Sequence, residues 1–112
     1  MFQAGDIDMI VPGRYLHDIS RSFICSGKAP TAHQASLLQT ACDPLCHNID
    51  LIKAGLTYRE FAECCWPLPK KVEHSRYMMM AHGCGLADEY PCMAYAVDCA
   101  EWGYDGVFEE NR

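Results

Sequence analysis

The chain has 112 residues, half of them hydrophobic, which suits about one packed domain and excludes an intrinsically disordered segment. Nine basic residues against fifteen acidic ones give a net charge of −6, and no cluster of lysine or arginine offsets it, so no nucleic-acid partner is expected. The apolar runs are all short of the roughly 20 residues that span a bilayer, and the chain starts without a secretory signal pattern, so we expect no membrane partner.

Eight cysteines raise the question of a disulfide framework. No secretory signal accompanies them, and the adjacent Cys64 and Cys65 are awkward to bridge in a small scaffold. The Cys-x-x-Cys spacing that is typical of structural zinc sites does not occur. We therefore expect most of these residues to be small, buried, reduced side chains of a cytoplasmic protein.

The first segment of the chain predicts a β-hairpin. Apolar residues alternate along Ile7–Val11, as in a strand, and Pro12-Gly13-Arg14 then interrupts the pattern. If these three residues form the loop, the two strands close on Val11 and Tyr15. This loop fixes which residues of the two strands face each other.

Three aspartates fall on the predicted strands. In this register Asp8 lies directly opposite Asp18, and Asp6 shares a face with Asp8 because side chains alternate along a strand. Facing like charges destabilise a strand pair, so a cation between them would explain the arrangement. A register shifted by one residue would instead leave the carboxylates solvated, and the spacing alone does not decide between the two.

The middle of the chain predicts two helices. Thr31–Gln34 forms a capping box, and apolar residues follow it at helical spacing. Pro44 is expected to kink this first helix and Gly55 to end it. A second capping box at Thr57–Glu60 predicts a short helix that ends near Trp66.

The last third of the chain has a different pattern. Tyr77–Ala81 is a short apolar run that predicts a buried strand leading into His82. Glycines on both sides of Cys84 permit a tight turn or a close approach to a ligand, and the acidic pair Asp88 and Glu89 follows. A hairpin, then helices, then strands predict an α+β fold.

Three segments, in this order, resemble the catalytic domain of the creatinase/aminopeptidase P/prolidase superfamily, the pita-bread metallopeptidases. Asp8 with Asp18-Ile19-Ser20-Arg21 resembles the hairpin that supplies the two metal-binding aspartates of that family. Lys53-Ala54-Gly55-Leu56-Thr57 resembles the stretch after the hairpin, and His82-Gly83-Cys84-Gly85-Leu86 resembles the strand with the metal-binding histidine. The resemblance implies one partial pita-bread catalytic domain over residues 1–112.

The resemblance also implies two divalent metal ions. Their ligands in this sequence would be Asp8, Asp18 and His82, with Asp6 as an addition from the same strand face. Carboxylates with one imidazole suit borderline divalent metals; iron is expected first, and manganese, cobalt and zinc also fit.

One position departs from the peptidases of the superfamily. These usually carry a second histidine shortly after the His-Gly-x-Gly segment, and Asp88 stands at that place here. In this respect the chain is similar to the DddP-type dimethylsulfoniopropionate lyases, which share the fold but cleave a carbon–sulfur bond. Tyr77 stands where these lyases have a tyrosine that contacts the substrate. The resemblance therefore implies Asp88 as the general base and Tyr77 as a substrate-binding residue.

The implied reaction is a metal-dependent β-elimination of a small sulfonium carboxylate, dimethylsulfoniopropionate, to dimethyl sulfide and acrylate. One alternative is a metallopeptidase of the Xaa-Pro aminopeptidase or prolidase type, although an aspartate cannot replace the cationic, proton-donating histidine that it needs. A second alternative is a non-catalytic pita-bread module that binds peptides, although such a module needs no metal ligands.

The superfamily has two further glutamate ligands, which are expected beyond Glu109-Glu110, and an N-terminal domain that helps to cover the site and form the dimer. This sequence contains neither. We therefore expect the chain to be an internal fragment of a longer, homodimeric enzyme, with Met1 not its native start. The 112-residue chain alone is expected to be inactive.

Overall fold

The computed structural model describes residues 2–110, with side chains from residue 5 onward. Within that range it contains helices and two small antiparallel sheets, which confirms the predicted α+β class. The chain divides into two compact units. The first unit comprises the chain up to Cys42 together with Gly83–Tyr90, and the second unit comprises Asp43–His82 together with the chain from Pro91 onward.

The first unit is built on the predicted hairpin. Strand β1 (Phe2–Ile10) pairs antiparallel with strand β2 (Leu16–Ile24). The Val11 N–H donates to the Tyr15 carbonyl at 2.9 Å, and the Arg14 N–H donates to the Val11 carbonyl at 3.1 Å. The predicted loop and its closure on Val11 and Tyr15 are therefore confirmed.

The segment Gly83–Tyr90 joins the first unit through its backbone. The Leu16 N–H donates to the Gly85 carbonyl at 2.8 Å, which forms a bridge at the start of β2. Gly85 has a φ of +123°, and a Cβ at this position would lie 3.3 Å from Cδ1 of Tyr15. Both facts require glycine at this residue. Gly85 therefore lets the backbone approach a strand of the same unit closely, and a close approach to a ligand stays a prediction.

Helix α1 (Ala32–Leu51) begins at the first predicted capping box. The Gln34 N–H donates to Thr31 Oγ1 at 3.3 Å, and the Thr31 N–H donates to Gln34 Oε1 at 2.9 Å. Pro44 lies inside the helix. Gly55, with a φ of +90°, lies in the turn beyond the helix rather than at its last residue.

Helix α2 (Tyr58–Cys64) begins at the second predicted capping box, in which Thr57 and Glu60 bond each other's backbone N–H. Phe61 on this helix is 1% exposed, and its ring packs edge-on against Phe108 with the centroids 5.2 Å apart. The predicted short helix is confirmed, and it supplies the largest fully buried side chain among those described.

The last described residues return along the start of α2. The Gly55 N–H donates to the Phe108 carbonyl at 2.8 Å, and the Tyr58 N–H donates to the Gly106 carbonyl at 3.0 Å. A Cβ on Gly106 would lie 2.3 Å from Cε2 of Tyr58, so only glycine fits at this position. Two one-turn helices, α3 (Lys70–Glu73) and α4 (Cys99–Trp102), complete the helical part of the second unit.

The strand predicted for Tyr77–Ala81 is shorter and begins later. Strand β3 consists of Ala81–His82 and pairs antiparallel with strand β4 (Cys92–Met93). Met79 is buried, but Tyr77 and Met78 are exposed. The prediction of a buried strand is wrong for most of the run, because within the run the structure includes Ala81 alone in a strand paired with β4.

The buried apolar side chains of the described range all lie in the second unit. The apolar face predicted for α1 exists, but this helix has no buried residue, and Leu38, Leu45 and Ile49 are 42%, 58% and 56% exposed. Buried apolar residues are Phe61, Ala62, Met79, Met93 and Ala94.

All eight cysteines fall within the described residues, and none of them takes part in a disulfide bond. The expectation that most are buried is wrong: four are exposed and four are partly buried. The core of the described residues is small, with five buried apolar side chains, so it has little interior in which cysteines could be buried.

None of the helices within residues 2–110 has the length and apolarity that crossing a bilayer requires.

Candidate metal centre

Three carboxylates meet on one face of the hairpin. Asp8 on β1 is the direct partner of Asp18 on β2, and Asp6 lies two residues from Asp8 on the same face. Each aspartate offers a carboxylate oxygen, and these oxygens all lie within 4.8 Å of one another. All three side chains are exposed. The structure therefore brings together three of the four predicted metal ligands, in the predicted register.

A serine that the sequence analysis did not single out supports this cluster. Ser20 is the cross-strand partner of Asp6, and its Oγ donates a hydrogen bond to Asp6 Oδ1 at 2.6 Å. The bond restrains one of the three carboxylates. This contact could have been predicted from the sequence, because the register that pairs Asp8 with Asp18 also pairs Asp6 with Ser20.

The donor set of the cluster fits a divalent cation. Like charges that face each other across a strand pair are destabilising, and three carboxylates share this small area. A cation coordinated by carboxylate oxygens removes this repulsion, and oxygen donors suit hard or borderline divalent metals. Exposure leaves the carboxylates open to an ion from solvent.

The other predicted site residues are distributed over both units. His82 ends strand β3 in the second unit and is partly buried, and Tyr77 in the same unit is 56% exposed. Asp88 belongs to the first unit, as the three clustered aspartates do. The contribution of His82 to the same metal centre stays a prediction.

Asp88 has an unusual backbone conformation. Its φ is +53°, and its carbonyl accepts a hydrogen bond from the Tyr90 N–H at 2.8 Å. Among the described non-glycine residues, the other with a positive φ is Arg14, whose place in the hairpin turn accounts for it. Aspartate tolerates the left-handed region better than most residues, and such conformations concentrate at functional sites. The conformation therefore marks Asp88 as a candidate functional residue.

The second unit also contains a cavity of about 340 Å³, whose walls include Cys65, Trp66 and Tyr95. Burial raises the pKa of the Cys65 thiol to about 11, and the neighbouring Cys64 contributes to the increase. The thiolate is the reactive form of cysteine, so Cys65 is a poor nucleophile at neutral pH.

This shift predicts a pH profile for chemical labelling. Alkylation of Cys65 by iodoacetamide should be slow at pH 8 and should rise about tenfold per pH unit until it levels off near pH 11, because the reactive thiolate is the form that burial disfavours. Peptide mass spectrometry of the labelled chain measures this rate. Fast labelling of Cys65 at pH 8 would contradict the assigned environment.

The three carboxylates on the hairpin of this α+β chain form a candidate metal centre. Comparison with known proteins shows which class of protein the chain resembles. No family model matches the chain. The chain is 32% identical over 104 residues to dimethylsulfoniopropionate lyase DddP of Roseovarius nubinhibens. It is 28% identical over 104 residues to the protein of the same name from Roseobacter denitrificans.

Both alignments cover 93% of this chain and 23% of the relative. The chain therefore spans about a quarter of the length of the curated relatives that it matches. The resemblance to DddP-type lyases that the motifs indicated is confirmed by these two relatives.

Proposed function

We propose that this chain is part of a dimethylsulfoniopropionate lyase, which eliminates dimethyl sulfide and leaves acrylate. The observation that carries the proposal is the alignment of 93% of the chain with two proteins named for this activity. The position of Asp88, where the peptidases of the superfamily have histidine, supports a lyase over a peptidase.

The proposal includes a partial pita-bread catalytic domain that belongs to a longer, homodimeric enzyme. Helix α1 has an exposed apolar face, and on the hairpin Ile7 and Met9 are 55% and 44% exposed. Apolar surface of this extent is typical of elements that pack against further polypeptide. The relatives, at more than four times the aligned length, have such polypeptide.

Two divalent ions, with iron as the first candidate, would be held by Asp6, Asp8, Asp18 and His82. When bound, such ions supply Lewis acidity toward the substrate carboxylate and favour the negative charge that develops beside it. Ser20 restrains the carboxylate of Asp6 for this purpose.

Asp88 is the general base of the proposed reaction. Its carboxylate takes the proton from the carbon next to the substrate carboxylate. The electrons of that C–H bond form the carbon–carbon double bond, and the carbon–sulfur bond breaks with its electrons going to sulfur. Neutral dimethyl sulfide and acrylate are released, and the proton remains on Asp88 until it passes to solvent. A positioned base of this kind contributes about 10²–10⁴-fold to a rate.

Tyr77 is the proposed substrate-binding residue. Its phenol can donate a hydrogen bond to the substrate carboxylate, and its ring can face the sulfonium cation. Tyr77 is 56% exposed, so a small molecule can reach it.

The test uses the longest natural protein that contains this chain. The protein is loaded with iron or manganese and is given dimethylsulfoniopropionate and an Xaa-Pro dipeptide in parallel. Dimethyl sulfide in the headspace with an intact dipeptide is the expected result. Dipeptide cleavage without dimethyl sulfide would overturn the proposal in favour of the metallopeptidase. The absence of both products would overturn it in favour of the non-catalytic module.

The metal role of the hairpin is tested without turnover. Calorimetric titration of the 112-residue chain with Mn²⁺ should show binding that Asp8→Asn weakens by about tenfold or more, which corresponds to about 1.4 kcal/mol. Without metal, the same variant should be more stable by roughly 0.2–1 kcal/mol, because one of two facing charges is removed.

Asp50→Asn is the matched control, because it removes the same charge from an exposed position on α1. We expect the control to bind Mn²⁺ as the unaltered chain does. Equal affinities for the chain, Asp8→Asn and Asp50→Asn would show that the three carboxylates are simply solvated.

A further inference from the structure

The segment of residues 76–82 in the second unit contains two predicted site residues, Tyr77 and His82. Arg76 fixes the beginning of this segment. Nη2 of Arg76 donates to Asp98 Oδ2 at 2.6 Å, and these two side chains are only 22% and 19% exposed. The guanidinium carbon of Arg76 also lies 4.5 Å from the ring centroid of Tyr95, a cation–π contact. Arg76 is therefore restrained in two directions at once.

The other end of the segment is fixed by backbone pairing and burial. The Met80 N–H donates to the Met93 carbonyl at 2.8 Å, and β3 continues this pairing as far as His82. Met79 is 5% exposed. Tyr77 directly follows Arg76 in the chain, so Arg76 is the nearest of these restraints along the backbone, and Tyr77 itself is 56% exposed.

The acceptor of the ion pair is itself held in place. The Asp98 carbonyl accepts hydrogen bonds from the N–H groups of Glu101 and Trp102 at 3.0 and 3.1 Å, at the start of α4. The Asp98 N–H donates to the Tyr95 carbonyl at 2.8 Å. Arg76 therefore joins the segment to a structured turn.

A second arginine–aspartate pair in the same unit differs in its surroundings. The side chains of Arg59 and Asp105 are 47% and 78% exposed, and exposed ion pairs contribute little. Lysine can replace an arginine in such a pair. It cannot replace Arg76 equally well, because only a planar guanidinium stacks on Tyr95 while it donates to Asp98.

We propose that Arg76 is a positioning residue, which sets the place of Tyr77 for substrate binding through its contacts with Asp98 and Tyr95. This inference rests on the proposed function. It adds to that function a determinant of substrate affinity that makes no contact with the reacting atoms.

The kinetic test compares Arg76→Lys with Arg59→Lys in the longest natural protein that contains the chain. Arg76→Lys should raise KM for dimethylsulfoniopropionate about tenfold and change kcat less than about twofold, because binding and not the chemical step is affected. Arg59→Lys should change neither constant. In a Tyr77→Ala background, Arg76→Lys should change KM less than about twofold, since the residue that it positions is absent.

A second measurement does not depend on turnover. In the 112-residue chain, Arg76→Lys should shift the NMR signals of the Tyr77 ring, and Arg59→Lys should not. If Arg76→Lys fails to fold, Asp98→Asn removes the charge of the acceptor instead and should give the same pattern. Unchanged Tyr77 signals, or a KM effect that is fully retained in the Tyr77→Ala background, would overturn the positioning role. Shifted signals in a protein that releases no dimethyl sulfide would support the positioning and overturn the lyase function instead.

Discussion

In the longest natural protein that contains this chain, Asp88→Asn is expected to lower the rate of dimethyl sulfide release by about 10²–10⁴-fold. This is the range that a general base contributes to a rate. An amide has the size of the carboxylate but cannot accept the proton. Asparagine also tolerates the left-handed backbone that Asp88 adopts, so the turn should keep its shape. Headspace gas chromatography of dimethyl sulfide measures the effect.

Two further measurements separate a base from a structural residue. The metal content of Asp88→Asn should stay near that of the unaltered protein, because the clustered ligand atoms come from Asp6, Asp8 and Asp18. Glu89→Gln, which removes a neighbouring charge, should keep most of the activity. Full activity in Asp88→Asn would remove this residue from the role of base.

Phe61→Ala is expected to destabilise the chain by about 3–5 kcal/mol, the usual cost of deleting a buried phenylalanine ring. Phe61 is 1% exposed, and the described core has few other large side chains to compensate. A loss of this size is a large part of the 5–15 kcal/mol that stabilises an ordinary domain. Chemical denaturation followed by circular dichroism gives the change in the free energy of unfolding.

Leu45→Ala is the matched control for Phe61→Ala, because Leu45 is 58% exposed on α1. Its substitution should change the free energy of unfolding by no more than about 0.5 kcal/mol. Similar denaturation midpoints for the two variants would contradict the assignment of Phe61 to the core.

Local chemistry determined much of the fold. Both capping boxes lie where the sequence predicted them, because each joins residues three positions apart. The hairpin register followed from a three-residue loop, and this register alone placed Asp8 opposite Asp18. The same register also predicts that Ser20 lies opposite Asp6. Contacts of this kind depend on few neighbouring residues, so the sequence contains nearly all the information that they need.

Contacts between distant residues were decided by the tertiary structure. The bridge from Leu16 to Gly85 and the ion pair of Arg76 with Asp98 have no counterpart in any local pattern. The apolar run Tyr77–Ala81 has strand character, yet it forms a strand only at Ala81, where it pairs in register with β4. Strand formation depends on such partners more than on intrinsic preference. The two strands of the hairpin are joined by a three-residue loop, so the sequence determined the carboxylate cluster. The partners of the segment around Tyr77 and His82 are distant in the chain, so the sequence did not determine the surroundings of these two residues.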